Sequence, residues 1–523
     1  MDMKDILPLL PALIMLILVL ATRKVVLSLG TGIVAGALIL NDYSIWNTIK
    51  EIWNDFAAIF YVNGGLNKGN LLLLGFLFLL GIMTALLAAS GGSQAFGDWM
   101  IKRVKTRVGA QLMTVVLGII IFIDDYFNAL AVGQVARPLT DRHRVSRAKL
   151  AYYIDSTAAP VTVISPTSSW GAFIIGILGS LFAANGITDL KPLTAFVEMI
   201  PYNFYALTAL LLVFLAAVFS MDLGAMRTHE RRAMETGELI DPDPKKARIA
   251  GDLSATFKPH KDGKVTHLLV PIIVLIAVTV GMMFFTGSRA SEGKVTILTI
   301  FANTDVNLSL FTGGLIAVVI GFILHFRQAQ PRARGGHVLW EGIKTMLPAI
   351  YILILAWIVG SIIADLKTGE ILAEVVQKST LKPAMLPLVF FLISGVMALA
   401  TGTSWGTFGI MLAIGAEVVL KVDTNLLLPT LSAILAGSVF GDHCSPISDS
   451  TILSSTGAGA YHIDHVITQL PYAILAAISA GLGYLIIGLT ENLWLALPAS
   501  LLLPVIVMIV SKLVHKEPIR KEA

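Results

Sequence analysis

The sequence predicts an all-α polytopic membrane protein: about 11–13 membrane segments in an inverted-topology repeat with two re-entrant hairpins and two broken helices. Three observations predict this. First, the 523 residues are 56% hydrophobic and 14% charged, with a mean hydropathy of +0.80, whereas soluble domains carry about 25% charge. Second, apolar runs long enough to cross a bilayer recur along the chain. Third, polar clusters interrupt those runs at corresponding places in two halves, and broken helices at membrane depth are tolerated where they line a cavity.

Two short apolar runs, 6–22 and 25–40, flank Arg23-Lys24. The first has no small-residue cleavage site after it and reads as a retained helix. A polar loop, 41–69, has only Lys50 and Lys68 as cations, and 70–89 is a clear span followed by Lys102, Arg103, Lys105 and Arg107. The positive-inside rule puts the basic groups in the cytoplasm and the 41–69 loop and the N-terminus outside.

Residues 110–136 have basic residues on both flanks, from Lys102 to Arg107 and from Arg137 to Lys149. A hairpin that dips in and returns keeps both clusters inside, with Asp124-Asp125-Tyr126-Phe127-Asn128 at its turn. Residues 150–186 read as a span broken at Asp155–Pro160, and 200–221 returns the chain to the cytoplasm. The stretch 222–266, with nine Lys or Arg against eight Asp or Glu, reads as a solvated linker that closes the first repeat, 1–221.

The second repeat, 267–513, follows the same plan. Spans at 267–286, 308–326 and 345–365 precede a hairpin, 384–420, centred on Thr401–Thr407. A broken helix, 427–456, is followed by spans 466–489 and 493–513. The 514–523 tail, with Lys516, Arg520 and Lys521, is expected in the cytoplasm, which makes this a multi-pass protein of the cytoplasmic membrane. Laying Pro160 over Pro446 puts Ser156 opposite Asp442. Gly437 and Gly441 are expected to loosen the second broken helix, and Trp46, Trp53, Trp340 and Trp494 to anchor the interfaces.

The polar clusters 124–128, 155–169, 401–407 and 442–451 converge by the repeat logic. Carboxylates in hydrocarbon are costly and mark ion pathways, and Na⁺ needs hard oxygen ligands. The candidates for cation or proton binding are Asp442, Asp449, Asp125, Asp124, Asn128, Asp155, Thr403, Ser404, His443, Ser445, Ser448 and Thr451. Asp442, Asp449 and Ser404 are the expected Na⁺ ligands. The bland alternatives are helix-capping carboxylates, a packing histidine at 443 and a buried apolar thiol at Cys444. His462 and His465 are expected at a cytoplasmic turn, and Trp170 and Trp405 as walls of the pathway.

Where one Asp binds either Na⁺ or H⁺, exchange follows from competition. No resident cofactor is called for: the ions are cargo, and the chain lacks G-x-x-x-x-G-K-[ST], which argues against ATP-driven transport. The single Cys444 excludes an internal disulfide, and nothing points to nucleic acid. The partners are membrane lipid and the transported ions or a small organic solute. A channel would show pore-ring repetition, which is missing. An intramembrane protease would need His443, Ser445 and Asp449, too close in sequence, to converge.

Gly441-Asp442-His443-Cys444-Ser445-Pro446-Ile447-Ser448-Asp449-Ser450-Thr451-Ile452-Leu453-Ser454-Ser455 resembles the signature of the NhaC-type Na⁺/H⁺ antiporters. Thr403–Gly409 and Phe122–Tyr126 resemble further stretches of that family, and the similarity covers roughly 70–490. The resemblance implies a secondary carrier of the ion transporter superfamily with paired re-entrant hairpins, a possible homodimer and Na⁺/H⁺ exchange. Relatives also resemble exchangers of organic acids and carriers of amino-acid-like solutes, so a Na⁺- or H⁺-coupled carrier of such a solute stands as the alternative. The 222–266 and 41–69 stretches are longer than a compact member needs.

Overall fold

The computed structural model describes residues 7–514 apart from 23, 63, 123, 167, 189, 243–256, 258, 292–294, 331 and 368–381. The 515–523 tail and most of the segment before the second expected hairpin therefore lie outside the described residues. The protein is helical, with one two-residue strand pair, Tyr61–Val62 with Gly65–Leu66.

Among the described residues, eight helices are long and apolar enough to cross a membrane: Lys68–Ala89, Thr266–Ala290, Val306–Phe326, Pro383–Thr401, Ser404–Val422, Thr424–Cys444, His462–Thr490 and Leu493–Ser511. A ninth is made by Pro192–Tyr202 and Phe204–Phe219, bent by 51°. The chain is an all-α polytopic membrane protein. The expected interfacial tryptophans 46, 53, 340 and 494 are all exposed.

Two hydrophobic cores form. One gathers Lys68–Ala89, Thr266–Ala290, Val306–Phe326 and Gly335–Asp365; the other gathers Phe204–Phe219, Leu386–Thr401, Ser404–Val422 and Leu427–Cys444. Between them run helices buried on every side. All of Arg147–Val163 is buried, and Ile452, Leu453 and Ala458 of Asp449–Ala458 join the first core while Val439 joins the second. A helix buried all round belongs to the centre of the molecule, and here that helix carries polar side chains.

Gly437 and Gly441 lie inside the unbroken Leu427–Cys444 helix rather than loosening it. A Cβ on Gly437 would sit 2.1 Å from the Phe391 carbonyl oxygen, and one on Gly441 2.1 Å from that of Gly395. The glycines let two backbones touch, as small residues do in membrane bundles. Gly133 and Gly457 do the same where Asp125–Arg142 crosses Asp449–Ala458, at 2.5 Å.

The first break is displaced from its expected place. Asp155–Pro160 lies within Arg147–Val163, and the helix ends only at Val163, before Ser169–Ala184. The second break, 445–448, separates Leu427–Cys444 from Asp449–Ala458. Both breaks carry the same device, Ser-Pro-x-Ser. Ser168 caps the first by accepting from the Gly171 N–H at 2.9 Å, and Ser448 caps the second by accepting from the Thr451 N–H at 3.5 Å. By the shared motif and by its place at a helix break, Pro166 rather than Pro160 resembles Pro446, six residues from the overlay that sets Ser156 opposite Asp442. One proline in a helix forfeits one hydrogen bond; the break comes where a second proline and a capping serine coincide.

Arg107–Ile120 and Asp125–Arg142 meet at a short non-helical link. The Asn128 amide donates to the carbonyls of Gly118 (2.6 Å) and Ile121 (2.7 Å). In one straight helix, residues 118 and 128 would be about 15 Å apart along the axis, so the chain has folded back. Leu386–Thr401 ends at Gly402, whose φ of 69° is a left-handed helix end suited to glycine, and Ser404–Val422 follows. Each of the two, the first counted from Pro383, is by itself long enough to cross the membrane rather than only to dip into it.

The 222–266 stretch is not simply solvated. Its helix Met226–Thr236 docks Glu230, 1% exposed, against Arg107 and Lys149. Arg107 pairs with Glu230, and Lys149 lies 2.8 Å from Asp222 and 3.2 Å from Glu230. Burial alone would push Glu230 up, but Lys149, Arg107 and the Ser146 N–H hold it at about 2. A lowered carboxylate contributes stability above its ordinary 4.5, and that contribution is lost as pH falls toward about 2. Glu230→Gln leaves buried Lys149 with Asp222 as its one ion-pair partner and half-buried Arg107 without Glu230. It should cost ~3–5 kcal/mol, seen as a lower thermal midpoint of the purified protein at neutral pH.

Candidate functional site

The site is built where Leu427–Cys444 ends and Asp449–Ala458 begins. Asp442, in the last turn of the first helix, accepts from Ser448 Oγ at 2.7 Å and Ser450 Oγ at 2.9 Å, and those hydroxyls lie 2.9 Å apart. Asp449 opens the next helix and accepts from the Tyr126 hydroxyl and from the Ser450 N–H at 3.0 Å. Tyr126 belongs to the fold-back of Arg107–Arg142, which also brings Asp124 and Asp125, each 3% exposed. The Trp170 indole donates to Asp125 at 2.9 Å.

Asp125 lies within electrostatic range of Asp124, Asp449 and Asp442. Among the described residues, no Lys or Arg bonds to Asp125, Asp442 or Asp449. Carboxylates so buried repel one another when ionised, and cations or protons relieve that repulsion. Trp170 packs edge-on against Trp405 and Phe408, ring centroids 5.6 and 5.4 Å away, an aromatic cluster on this side of Asp125.

A second polar centre surrounds Asp155, which is fully buried. Its Oδ1 accepts from Ser454 at 3.0 Å; its Oδ2 accepts from Gln469 at 2.6 Å and faces His465 Nε2 at 3.2 Å. Gln469 also donates to the His443 carbonyl at 3.0 Å, and His443 Nδ1 meets the Tyr205 hydroxyl at 3.1 Å. Ser450 and Ser454 lie one turn apart on Asp449–Ala458, so one helix face reaches both Asp442 and Asp155.

The other candidates hold the backbone. Ser404 Oγ donates to the Ser438 carbonyl at 3.2 Å, Ser445 Oγ to that of Leu399 at 2.9 Å, and Thr451 Oγ1 reaches that of Asp442 at 3.5 Å. Thr403 precedes Ser404–Val422 with no side-chain capping bond. Of the expected Na⁺ ligands, Asp442 and Asp449 come together, while the Ser404 hydroxyl is directed to a carbonyl.

His462 and His465 are not at a solvated turn. His462 Nε2 donates to the Pro446 carbonyl at 2.8 Å, satisfying an acceptor freed by the break, and His465 is fully buried on Asp155. Tyr126, Ser450, Ser454, His465 and Gln469 went unread as site residues. The available signal was helical spacing: His465 and Gln469 share a face, as do Ser450 and Ser454.

Residues 161–489 match the model of the Na⁺/H⁺ antiporter family. The chain is 44% identical over 487 residues to an uncharacterized protein of Haemophilus influenzae, covering 92% of this chain and 91% of that one. It is 30% identical over 201 residues to the malate-2H⁺/Na⁺-lactate antiporter of Bacillus subtilis, covering 37% and 40% of the two chains. It is 33% identical over 153 residues to an uncharacterized Na⁺/H⁺ antiporter of Haemophilus influenzae, covering 28% and 32%. With that family match over more than half of its length, and with eight candidate spans among the described residues, the chain belongs to the Na⁺/H⁺ antiporter family of secondary carriers.

Proposed function

We propose that the protein exchanges Na⁺ for H⁺ across the cytoplasmic membrane, the two ions competing for Asp442 and Asp449 with Asp124 and Asp125 beside them. The observation that carries this reading is the convergence of buried Asp124, Asp125 and Asp442 with half-buried Asp449 at a helix break. Freed carbonyls and the hydroxyls of Ser448 and Ser450 are the remaining oxygen ligands, a donor set that suits a hard monovalent cation. The two Ser-Pro-x-Ser breaks support an inverted repeat, with 222–266 as its cytoplasmic connector. Rocking one repeat against the other would then give alternating access.

A second reading, a Na⁺- or H⁺-coupled carrier of an organic anion, is favoured by one feature. A cavity of about 260 Å³ is lined by Arg137, Arg142 and Arg147 with Thr84, Gln134 and Asp141. Arg147 already pairs with Asp141 and Arg142 with Asp98, so an organic anion would have to compete with those carboxylates. Guanidinium groups bind carboxylates well, and the cavity adjoins the far end of Asp449–Ala458, where Arg147 donates to the Gly459 carbonyl at 3.2 Å.

Proteoliposomes with an internal pH dye separate the readings. With no organic solute, an imposed Na⁺ gradient should drive protons in the opposite sense. Silence until an organic acid is added would overturn simple Na⁺/H⁺ exchange in favour of the second reading.

A further inference from the structure

We propose that Glu51, Asp55 and Asp365 form a binding site for a divalent cation, Ca²⁺ foremost, made of residues distinct from the proposed transport carboxylates. Glu51 and Asp55 stand one turn apart on Ile45–Phe60, hence on one face, and Asp365 ends Gly335–Asp365. One carboxylate oxygen from each lies within 4.8 Å of the other two. Oxygens bound to a single Ca²⁺ at 2.3–2.6 Å are at most about 5 Å apart, so one ion can touch all three.

A second observation points to a ligand. Asp55 is only 9% exposed, and its Oδ1 accepts from Ser361 at 2.8 Å. Its Oδ2 is buried without a hydrogen-bond partner. A carboxylate oxygen withdrawn from water and left unpaired is costly, and two further carboxylates close by add to the cost. Burial pushes the Asp55 carboxyl up; the Ser361 hydroxyl opposes this, and the Glu51 and Asp365 charges add to it. A cation seated among the three supplies what the oxygen lacks and pins the amphipathic Ile45–Phe60 helix to the end of Gly335–Asp365.

The donors are all oxygen, with room left for water and carbonyls, which suits Ca²⁺ rather than a soft metal. The charge reading of the loops puts this face outside the cell. Extracellular Ca²⁺ modules bind with Kd values on the order of 10⁻⁴–10⁻³ M, and the same range is expected here.

The test uses the purified full-length protein in detergent, stripped with chelator and held at constant Na⁺. Ca²⁺ is added while heat of binding and thermal unfolding are followed. The wild type should bind in the stated range and gain ~2–4 °C at saturation. Asp55→Asn should lose both signals. If that variant does not fold, the more accessible Glu51→Gln and Asp365→Asn decide instead, each weakening binding at least tenfold. Asp442→Asn should respond like the wild type, because the site is separate from the transport site. No response at 10 mM Ca²⁺ in the wild type would overturn the proposal. So would an equal response to added Na⁺, unchanged binding in Glu51→Gln and Asp365→Asn, or loss of the response in Asp442→Asn.

Discussion

Asp442→Asn should abolish exchange and weaken Na⁺ binding by ~2–5 kcal/mol, about 30-fold to several thousand-fold. The asparagine keeps the shape and one acceptor oxygen, so the hydroxyls of Ser448 and Ser450 retain something to bond. What is lost is the charge, and a buried cation without its counter-charge pays a desolvation cost that neutral dipoles offset only in part. The same change removes a group that a proton can occupy in the cation's place, so coupling fails along with affinity. Two readouts check this: ²²Na⁺ binding to purified protein, and Na⁺-driven pH change in proteoliposomes. Exchange at the wild-type rate in a folded Asp442→Asn protein would remove Asp442 from the site. Asp449→Asn should be milder, because Tyr126 can still donate to the amide oxygen and Asp125 stays within electrostatic range of the cluster.

The sequence makes the second break legible because Asp442, Pro446, Ser448 and Asp449 fall within eight residues between apolar runs, where polarity has no bland explanation. The first break is less legible because Pro160 stands beside Asp155 and mimics a break. A lone proline leaves a buried helix standing when neighbouring helices support it, and the helix runs on to Val163. Pro166 with Ser168 was the stronger sign, since it joins a lost donor to a cap. The glycines mislead for a related reason: sequence gives their flexibility, whereas Gly437 and Gly441 serve by the side chain they lack, against a partner some forty-five residues away. The histidines fail on environment. His462 and His465 follow Gly459-Ala460, a plausible turn, but only the packing of His462–Thr490 against Arg147–Val163 puts His465 on Asp155.

That pairing carries the last expectation. Asp155 is enclosed by Ser454, Gln469 and His465, and none of these is a Na⁺ ligand by contact with Asp442 or Asp449. A buried carboxylate facing an imidazole can hold or pass a proton, while three hydrogen-bond partners leave it little capacity for a metal ion. Asp155→Asn should therefore lower exchange on the order of 10²-fold or more while ²²Na⁺ binding stays within a few-fold of wild type. Asp442→Asn loses both. Gln469→Glu offers a control of another kind, since it sets a second carboxylate against Asp155 and should shift the pH dependence of exchange without removing a proton-binding group. Equal loss of Na⁺ binding in Asp155→Asn and Asp442→Asn would merge the two centres into one. Separate outcomes would instead make the face of Asp449–Ala458 that bears Ser450 and Ser454 the element that both centres share. Movement of that half-helix, held at its far end by Arg147, would then couple the cation to the proton.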